Sequence, residues 1–316
     1  MKPLALFAAE ASLQIGTGHV MRCLVLAESL QNSGWDCSFV SSQTSYDLVS
    51  RLAPFPRIDP KEFWENPFSA KLLVVDNYNL DSSYENHFRK YVETILVIDD
   101  LADRPHNCDI LLDQNLGSQI SDYQNLVNEN CKILVGTKFA LLRPEFAKLR
   151  PSALQKRSQT KKVSKILINF GGSDINNHSL KALENLETSS FQGEVDVVLG
   201  FSATHFDSVK NFAKKSKNKI TVHRAADMSQ LIFENDLALA AGGSSAWERC
   251  CLGLPTYIIK IADNQEQIFN ELGSKKSFEE YWKDVSANYQ KYCDDVAKFA
   301  DGDGAKRVFE VIERIV

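Results

Sequence analysis

The sequence predicts an α/β fold in which two open, parallel sheets are each wound with helices. Short apolar runs alternate with helical patterns along the first half of the 316-residue chain, and this alternation begins again after residue 162. Such alternation is typical of parallel sheets, because helices cover their strands. In addition, Gly-rich turns at residues 16–18, 171–174 and 242–245 each lie between a predicted strand and a predicted helix. Turns in this position are suited to binding a phosphorylated ligand.

The composition excludes several classes of protein. The chain is 44% hydrophobic and 24% charged, and it is long enough for two domains of about 150 residues each. A formal net charge of −5 gives no electrostatic reason to expect nucleic-acid binding. Apolar runs stay well short of the roughly 18 residues that a membrane span needs, and the first residues do not resemble a signal peptide. We therefore expect a cytoplasmic protein that does not associate with membranes.

Cysteine usage predicts neither a disulfide framework nor a structural zinc site. The chain has seven cysteines, an odd number, without CxxC spacing. Cys250 and Cys251 are neighbours in a predicted apolar helix, where packing explains them better than catalysis.

The first predicted domain, residues 1–150, places several polar side chains at one edge of its sheet. Asp76, Asp99 and Asp100 end two predicted strands, and Tyr78 follows the first of them. Ligands of such sheets bind beyond the carboxyl ends of the strands, so we expect these side chains to surround one crevice with His19. The predicted elements are strands at 4–9, 36–41, 72–76, 94–100, 110–113 and 132–135, and helices at 20–33 and 45–52.

The second predicted domain, residues 163–316, follows a linker at 151–162. The segment around this linker, 149–162, is polar, contains Pro151 and five basic residues, and has no apolar period. The predicted elements of this domain are strands at 165–170, 195–199, 220–223, 237–241 and 256–259, and helices at 177–186, 246–252 and 305–316.

Two Rossmann-like domains that face each other across a cleft describe the GT-B architecture of nucleotide-sugar enzymes. A single mixed α/β enzyme with a long linker loop fits the same pattern less well. The first turn lacks the third glycine of the dinucleotide fingerprint, and the sequence has no GxxxxGK[ST] motif. Hydride transfer and ATP hydrolysis are therefore weakly supported.

The turn at 16–18 brings His19 to the start of a helix. Glycines let a ligand approach the backbone, so His19 would lie beside whatever this turn binds. An ordinary helix start explains the stretch equally well. The positive end of a helix dipole favours the neutral imidazole that a general base requires, whereas a departing diphosphate favours the charged form. A carboxylate such as Asp99 or Asp100 could fix the tautomer.

The turn at 242–245 is more informative because two glycines precede two serines. Backbone N–H groups and hydroxyls can bind a diphosphate there, and Glu248, about one helical turn further on, can accept the hydroxyls of a ribose. The alternative is a capping box with Ser245 as N-cap and Glu248 at N3. We favour the ligand, since a cap needs no preceding glycine pair.

Several motifs together resemble the UDP-2,4-diacetamido-2,4,6-trideoxy-β-L-altropyranose hydrolases of pseudaminic acid biosynthesis. The resemblance extends from about residue 4 to residue 269. The motifs are IGTGHVMRC at 15–23, DNY at 76–78, DDLADRPH at 99–106, LLDQN at 111–115, FALLRPEF at 139–146 and AGGSSAWERCCLGLP at 241–255.

This resemblance implies a GT-B fold and hydrolysis at the anomeric carbon, with inversion and without a metal or cofactor. UDP and the free diacetamido sugar would be released. By position, His19 matches the general base and Tyr78 a residue that lines the sugar site, and we predict both as catalytic. The predicted substrate contacts are Gly16, Thr17, Gly18, Arg22, Asp99 and Arg143 and, mainly for UDP, Gly172, Ser173, Gly243, Ser244, Ser245, Glu248, Asn264 and Gln265.

Other functions stay open on the sequence. A glycosyltransferase of the same fold, a hydrolase of a differently acylated UDP-sugar and a noncatalytic UDP-sugar binder are the alternatives. Arg143 could contact phosphate, or it could form an ion pair with Glu145 or with a residue of the other domain, and the two interpretations are equally supported. The UDP-sugar and UDP are the partners that we predict, and we expect a monomer.

Overall fold

Two parallel sheets, one in each of two units, organise the computed structural model. The model describes residues 2–12, 14–201, 203–224, 226–262 and 265–316. Unit 1 runs to Leu142 and also takes in Asp303–Val316, and unit 2 is Arg143–Gly302. The predicted α/β fold with parallel sheets is therefore confirmed.

Unit 1 contains a seven-stranded sheet in the order β3-β2-β1-β4-β5-β6-β7. Its strands are β1 Leu4–Ala9, β2 Asp36–Val40, β3 Arg57–Ile58, β4 Ala70–Asp76, β5 Val92–Ile98, β6 Ile110–Asp113 and β7 Lys132–Val135. Its first helices are α1 Gly18–Asn32, α2 Gln43–Leu48, α3 Pro60–Glu65, α4 Ser82–Phe88 and α5 Ile120–Tyr123, with short 3-10 helices at Ser50–Leu52 and Thr137–Phe139. The central strands are almost wholly apolar because helices cover both faces of the sheet.

Unit 2 contains a five-stranded sheet in the order β10-β9-β8-β11-β12. Its strands are β8 Lys165–Asn169, β9 Glu194–Leu199, β10 Lys219–Arg224, β11 Leu237–Ala241 and β12 Thr256–Ile259. Its helices are α6 Pro144–Gln159, α7 His178–Thr188, α8 Phe206–Ala213, α9 Met228–Glu234, α10 Ser245–Cys251, α11 Glu266–Leu272, α12 Phe278–Ala287 and α13 Tyr289–Ala297.

Each sheet has one point at which the order of the strands reverses. In unit 1 this switch point lies between β1 and β4, and in unit 2 between β8 and β11. Ligands of open α/β sheets bind outside the carboxyl ends of the strands at such points, because the loops there diverge. The three Gly-rich turns follow β1, β8 and β11, so each adjoins a switch point.

The structure differs from the predicted linker at 151–162, because residues 144–159 form helix α6. Three of the five basic residues that indicated a linker, Arg150, Lys156 and Arg157, lie in this helix and bond to other elements. Arg157 is buried and donates to the carbonyl oxygens of Leu252 at 2.6 Å and Ile232 at 2.8 Å. A buried arginine whose donors are satisfied by carbonyl groups cannot be distinguished from a solvated one by composition.

The last helix, α14 Gly304–Ile315, belongs to unit 1 rather than to the second predicted domain. Val308 and Ile312 are fully buried in the core that α1 forms with the sheet. Trp35 Nε1 also donates to Glu313 Oε1 at 3.3 Å. The apolar face of α14 is thus covered by a domain that lies far away in sequence.

No helix in the described part of the chain is long and apolar enough to cross a membrane.

Candidate active site

His19 and Asp76 meet at the switch point of unit 1. Asp76 is the last residue of β4, and His19 lies in the first turn of α1, after the turn that follows β1. The His19 Nδ1 atom lies 2.5 Å from Asp76 Oδ1, and only 8% of His19 is exposed. The predicted grouping of Asp76 with His19 is therefore present.

Asp76 is a buried carboxylate that remains ionised. Burial by itself would raise its pKa, but the charges of Arg22 and His19 and their hydrogen bonds hold the pKa of Asp76 well below its usual range. An ionised carboxylate has no proton to give, so Nδ1 of His19 must be the donor. In the neutral imidazole, Nε2 then carries the lone pair, which is the form that a general base needs.

Arg22 also binds the carboxylate of Asp76. Its Nε lies 2.6 Å from Asp76 Oδ2 and its Nη2 lies 2.7 Å from Oδ1, so the pair is bidentate. Its Nη1 also donates to Asp100 Oδ2 at 3.2 Å. The structure therefore assigns Arg22 a positioning task that the sequence did not indicate, and its predicted contact with substrate stays a prediction.

Tyr78 packs against the ring of His19. The two ring centroids are 4.6 Å apart and the planes meet at 88°, which is an edge-to-face arrangement. Asp76 thus restrains the imidazole through a contact with Nδ1, and Tyr78 restrains it by packing against the ring.

Asp99 does not orient His19, contrary to one expectation from the sequence. Its Oδ2 accepts the backbone N–H of Ala102 at 2.9 Å, and Oδ1 lies 2.8 Å from Arg104 Nη2. Asp99 is completely buried, and these two contacts hold the loop that follows β5. Asp76 has the orienting role instead. The sequence offered one signal for this role: Asp76 ends a predicted strand, and β4, which contains it, pairs with β1, the strand before the His19 turn.

The turn at 16–18 supplies the start of α1. Gly16 has φ +79° and its N–H donates to Ser12 O at 2.9 Å, so this position favours glycine. Thr17 is the N-cap, and its side chain makes no capping hydrogen bond. Backbone N–H groups from Gly18 onward are therefore not covered by a capping side chain.

At the switch point of unit 2, the turn at 171–174 approaches another glycine closely. A Cβ atom on Gly200 would lie 2.1 Å from Gly172 O, so a side chain at position 200 would displace this turn. Asp174 caps α7 by accepting the N–H groups of His178 at 2.8 Å and Ser179 at 2.9 Å. Gly172 is exposed and Ser173 is half-buried.

The turn at 242–245 does not form the capping box. Ser244 is the N-cap of α10, one residue earlier than that alternative requires, and its side chain makes no capping bond. The Oγ atom of Ser245 accepts from Arg249 Nη1 at 3.1 Å. Gly243 faces open space, since a Cβ atom there would meet no described heavy atom within 4 Å.

Glu248 and Arg143 lie near each other in unit 2. Arg143 Nη2 is 3.7 Å from Glu248 Oε1, and Arg143 Nη1 is 2.9 Å from Glu145 Oε1. The predicted Arg143–Glu145 pair is therefore present, while contact of Arg143 with phosphate stays a prediction.

Gln265 contacts the turn at 242–245, and its predicted contact with substrate stays a prediction. Its Oε1 accepts the backbone N–H of Gly242 at 3.3 Å and of Ile261 at 3.2 Å. Asn264, its predicted partner, lies outside the described residues. Within the described ranges, no group of three or more His, Cys, Asp or Glu side chains is arranged to hold a metal ion.

Together, these features define an α/β protein with a buried His–Asp pair at one switch point and glycine–serine turns at the other. Comparison with solved structures shows the GT-B class of fold. Acinetobacter baumannii MurG matches 99% of this chain over its own full length, with a TM-score of 0.68 and 14% sequence identity. UDP-GlcNAc 2-epimerase from Neisseria meningitidis also matches 99% of this chain over its full length, with a TM-score of 0.61 and 13% identity.

Sequence comparison finds relatives of lower than 30% identity. The UDP-2,4-diacetamido-2,4,6-trideoxy-beta-L-altropyranose hydrolase of Campylobacter jejuni is 28% identical over 88% of this chain and 98% of its own length. An uncharacterized protein of Methanocaldococcus jannaschii is 26% identical over 97% of this chain, which spans 64% of that protein. The spore coat polysaccharide biosynthesis protein SpsG of Bacillus subtilis is 23% identical over 81% of this chain and 77% of its own length. No family model matches the chain.

Proposed function

We propose that the chain is a UDP-sugar hydrolase that acts on UDP-2,4-diacetamido-2,4,6-trideoxy-L-altrose in pseudaminic acid biosynthesis. The likeness to the C. jejuni enzyme supports the substrate. The observation that carries the reaction is the 2.5 Å contact between His19 Nδ1 and Asp76, because it leaves Nε2 as the basic atom.

In the proposed reaction, a water molecule attacks the anomeric carbon on the face opposite UDP. The new bond from carbon to oxygen forms as the bond from carbon to the diphosphate oxygen breaks, and UDP takes the electron pair. The water gives its proton to Nε2 of His19. Asp76 stabilises the imidazolium that results, as a buried carboxylate does beside a catalytic histidine.

The turns of unit 2 are proposed to bind UDP. Gly243, Ser244 and the first N–H groups of α10 suit a diphosphate, since α10 is entered without a capping side chain. Glu248 is proposed to accept the ribose hydroxyls. Stabilisation of the departing charge by backbone N–H groups needs no metal, so we propose metal-independent hydrolysis.

A release assay tests this function. The pure protein is incubated with the UDP-diacetamido sugar, without acceptor and with EDTA, and UDP is followed by anion exchange. We expect UDP release that the His19→Asn variant loses. If release requires an added acceptor, the protein is a glycosyltransferase, and release that depends on an added metal contradicts the proposed mechanism. Binding of the UDP-sugar without any release would identify a noncatalytic binder.

A further inference from the structure

Two cysteine thiols of unit 1 meet at the amino ends of neighbouring strands. Cys108 comes two residues before β6, and Cys131 comes directly before β7. The two strands are parallel and Ile110 is paired with Lys132, so their amino ends lie side by side. The Sγ atoms of Cys108 and Cys131 are 3.6 Å apart. Strand pairing therefore brings together two thiols that the spacing of cysteines in the sequence did not connect.

The separation of the two sulfur atoms is small enough for a disulfide to form. Bonded sulfur atoms lie about 2 Å apart, so the thiols must approach each other by about 1.5 Å. Rotation about the Cα–Cβ bonds can move both sulfur atoms while the strands stay in place. The thiols of Cys23 and Cys37 differ, because they contact the oxygen atoms Asp76 Oδ2 at 3.6 Å and Ala27 O at 3.5 Å.

The two thiols differ in their access to a reagent. Cys108 is 1% exposed, whereas Cys131 is half-buried. The hydrogen bond with the Cys131 thiol and burial raise the pKa of the Cys108 thiol well above its usual range, and the charges of Glu85 and Asp109 act in the same direction. The thiolate is the attacking species in disulfide exchange, and it must be accessible. Cys131 is therefore the thiol that an external disulfide meets first.

We propose that Cys108 and Cys131 are a site of reversible oxidation, at which a low-molecular-weight disulfide such as glutathione disulfide produces an intramolecular disulfide. The Cys131 thiolate attacks one sulfur of glutathione disulfide, and the first glutathione leaves with the electron pair of the broken bond. The thiolate of Cys108 then attacks Cys131 Sγ and displaces the second glutathione. The protein loses two electrons, glutathione disulfide gains them, and the two thiol protons end on the two glutathione molecules.

This disulfide would stabilise the edge of the larger sheet. Strand β7 lies at the end of the strand order, beside β6. The new bond would close a loop over residues 108–131, which contains β6 and α5. Such a loop restricts the unfolded chain, so unit 1 should unfold at a higher temperature when the site is oxidised. The inference does not depend on the proposed reaction, because it uses neither His19 nor the turns of unit 2.

Peptide mapping of the wild-type chain tests the proposed disulfide. The folded protein is incubated with glutathione disulfide, free thiols are alkylated, and the chain is cut after glutamate residues. Cleavage after Glu129 separates the two cysteines, which then lie in peptides 94–129 and 130–145. We expect mass spectrometry to find these peptides joined in most of the protein and separated after treatment with dithiothreitol. Absence of the link, or a lasting mixed disulfide of Cys131 with glutathione, would overturn the proposal.

Thermal unfolding of the oxidised and reduced forms tests the effect on the sheet. Oxidation of the wild type should raise Tm by at least about 5 °C. Cys131→Ser should abolish this difference. Cys37→Ser is the matched control and should keep it, since Cys37 lies on β2. Each difference is taken within one protein, so a change in stability from the substitution itself cancels. Equal Tm values for oxidised and reduced wild type, or an unchanged difference in Cys131→Ser, would contradict stabilisation by this disulfide.

Discussion

The two switch points present different kinds of chemical group. In unit 1, three ionisable side chains, His19, Arg22 and Asp76, lie buried within hydrogen-bond distance of one another. In unit 2, the turns present glycines and serines, and the charged Asp174 is directed at the start of α7. The same sheet edge therefore carries fixed side-chain charge in one unit and backbone N–H groups in the other.

This difference shows what each chemistry requires of the fold. A general base needs one tautomer and one ring orientation, which only specific neighbours can impose. A diphosphate can be bound by backbone N–H groups, which nearly any sequence supplies once glycine permits the turn. Substitutions at the two switch points should consequently separate catalysis from nucleotide binding.

The largest effect is expected at His19. His19→Asn removes the proposed base and should lower kcat by about 10²-fold or more, because general bases contribute that much. Affinity for UDP, measured by calorimetry, should stay within a factor of about two because UDP is proposed to bind to unit 2. His223→Asn is a matched control, since His223 Nε2 lies 2.7 Å from Asp196 Oδ1 on a neighbouring strand. Near-normal turnover in folded His19→Asn protein would contradict the proposal that His19 is the general base.

Asp76→Asn should have the next largest effect on turnover. An amide can present its oxygen or its nitrogen to Nδ1, so the tautomer is no longer fixed, and kcat should lose much of the roughly 10²-fold that a general base contributes. Loss of one partner from the buried pair with Arg22 should also lower the free energy of unfolding by about 3 kcal/mol. Chemical denaturation and steady-state kinetics check the two parts. Wild-type kcat in this variant would show that Asp76 does not position the base.

The pH dependence of stability should report the Asp76 charge. Its pKa is lower in the folded protein than in the unfolded chain, so it stabilises the fold above about pH 4, the unfolded value, and this contribution is lost as the pH falls further. The free energy of unfolding should drop with a slope of up to about 1.4 kcal/mol per pH unit for this proton. Urea denaturation between pH 5 and pH 2 measures it. Asp76→Asn should show a shallower slope, and identical slopes would contradict the prediction.

At the other switch point, Glu248→Gln should weaken UDP binding by about tenfold, as expected when a hydrogen bond loses its charge. The kcat value at saturating substrate should change less than KM. Glu145→Gln serves as the control because Glu145 is the other carboxylate beside Arg143. Equal UDP affinity in the wild type and Glu248→Gln would remove Glu248 from the nucleotide site.

Tyr78→Phe should have the smallest effect. The ring that packs against His19 is kept, so only contacts of the hydroxyl are lost, and kcat/KM should fall by about threefold to tenfold. Steady-state kinetics with the UDP-sugar measures this change. An unchanged kcat/KM would remove the hydroxyl from the sugar site.

Much of the fold follows from the sequence because it depends on local pattern. The strands β1, β6, β7, β11 and β12 have the bounds that their apolar runs predict. The gathering of Asp76 and Tyr78 around His19 also follows, since the carboxyl ends of parallel strands share one edge. To predict these features, only the periodicity of apolar residues and the order of the predicted elements are needed.

The remaining features depend on contacts between distant residues. Asp76, Asp99 and Asp100 all end predicted strands, and only the order β1-β4-β5 determines that Asp76 adjoins His19. Arg157 lies in a segment with the composition of a linker, yet it is buried and its N–H groups bind carbonyl groups that are distant in sequence. Helix α14 looks like any amphipathic C-terminal helix until its partner α1 is known.

The return of α14 to unit 1 has a consequence for biosynthesis. The ribosome makes α14 after all of unit 2, so every residue of unit 2 has been translated before the core around α1 receives Val308 and Ile312. Domains generally fold as units while the chain is being made, with the N-terminal one first. Here the order of completion is reversed, and the domain that begins the chain is the last to be finished.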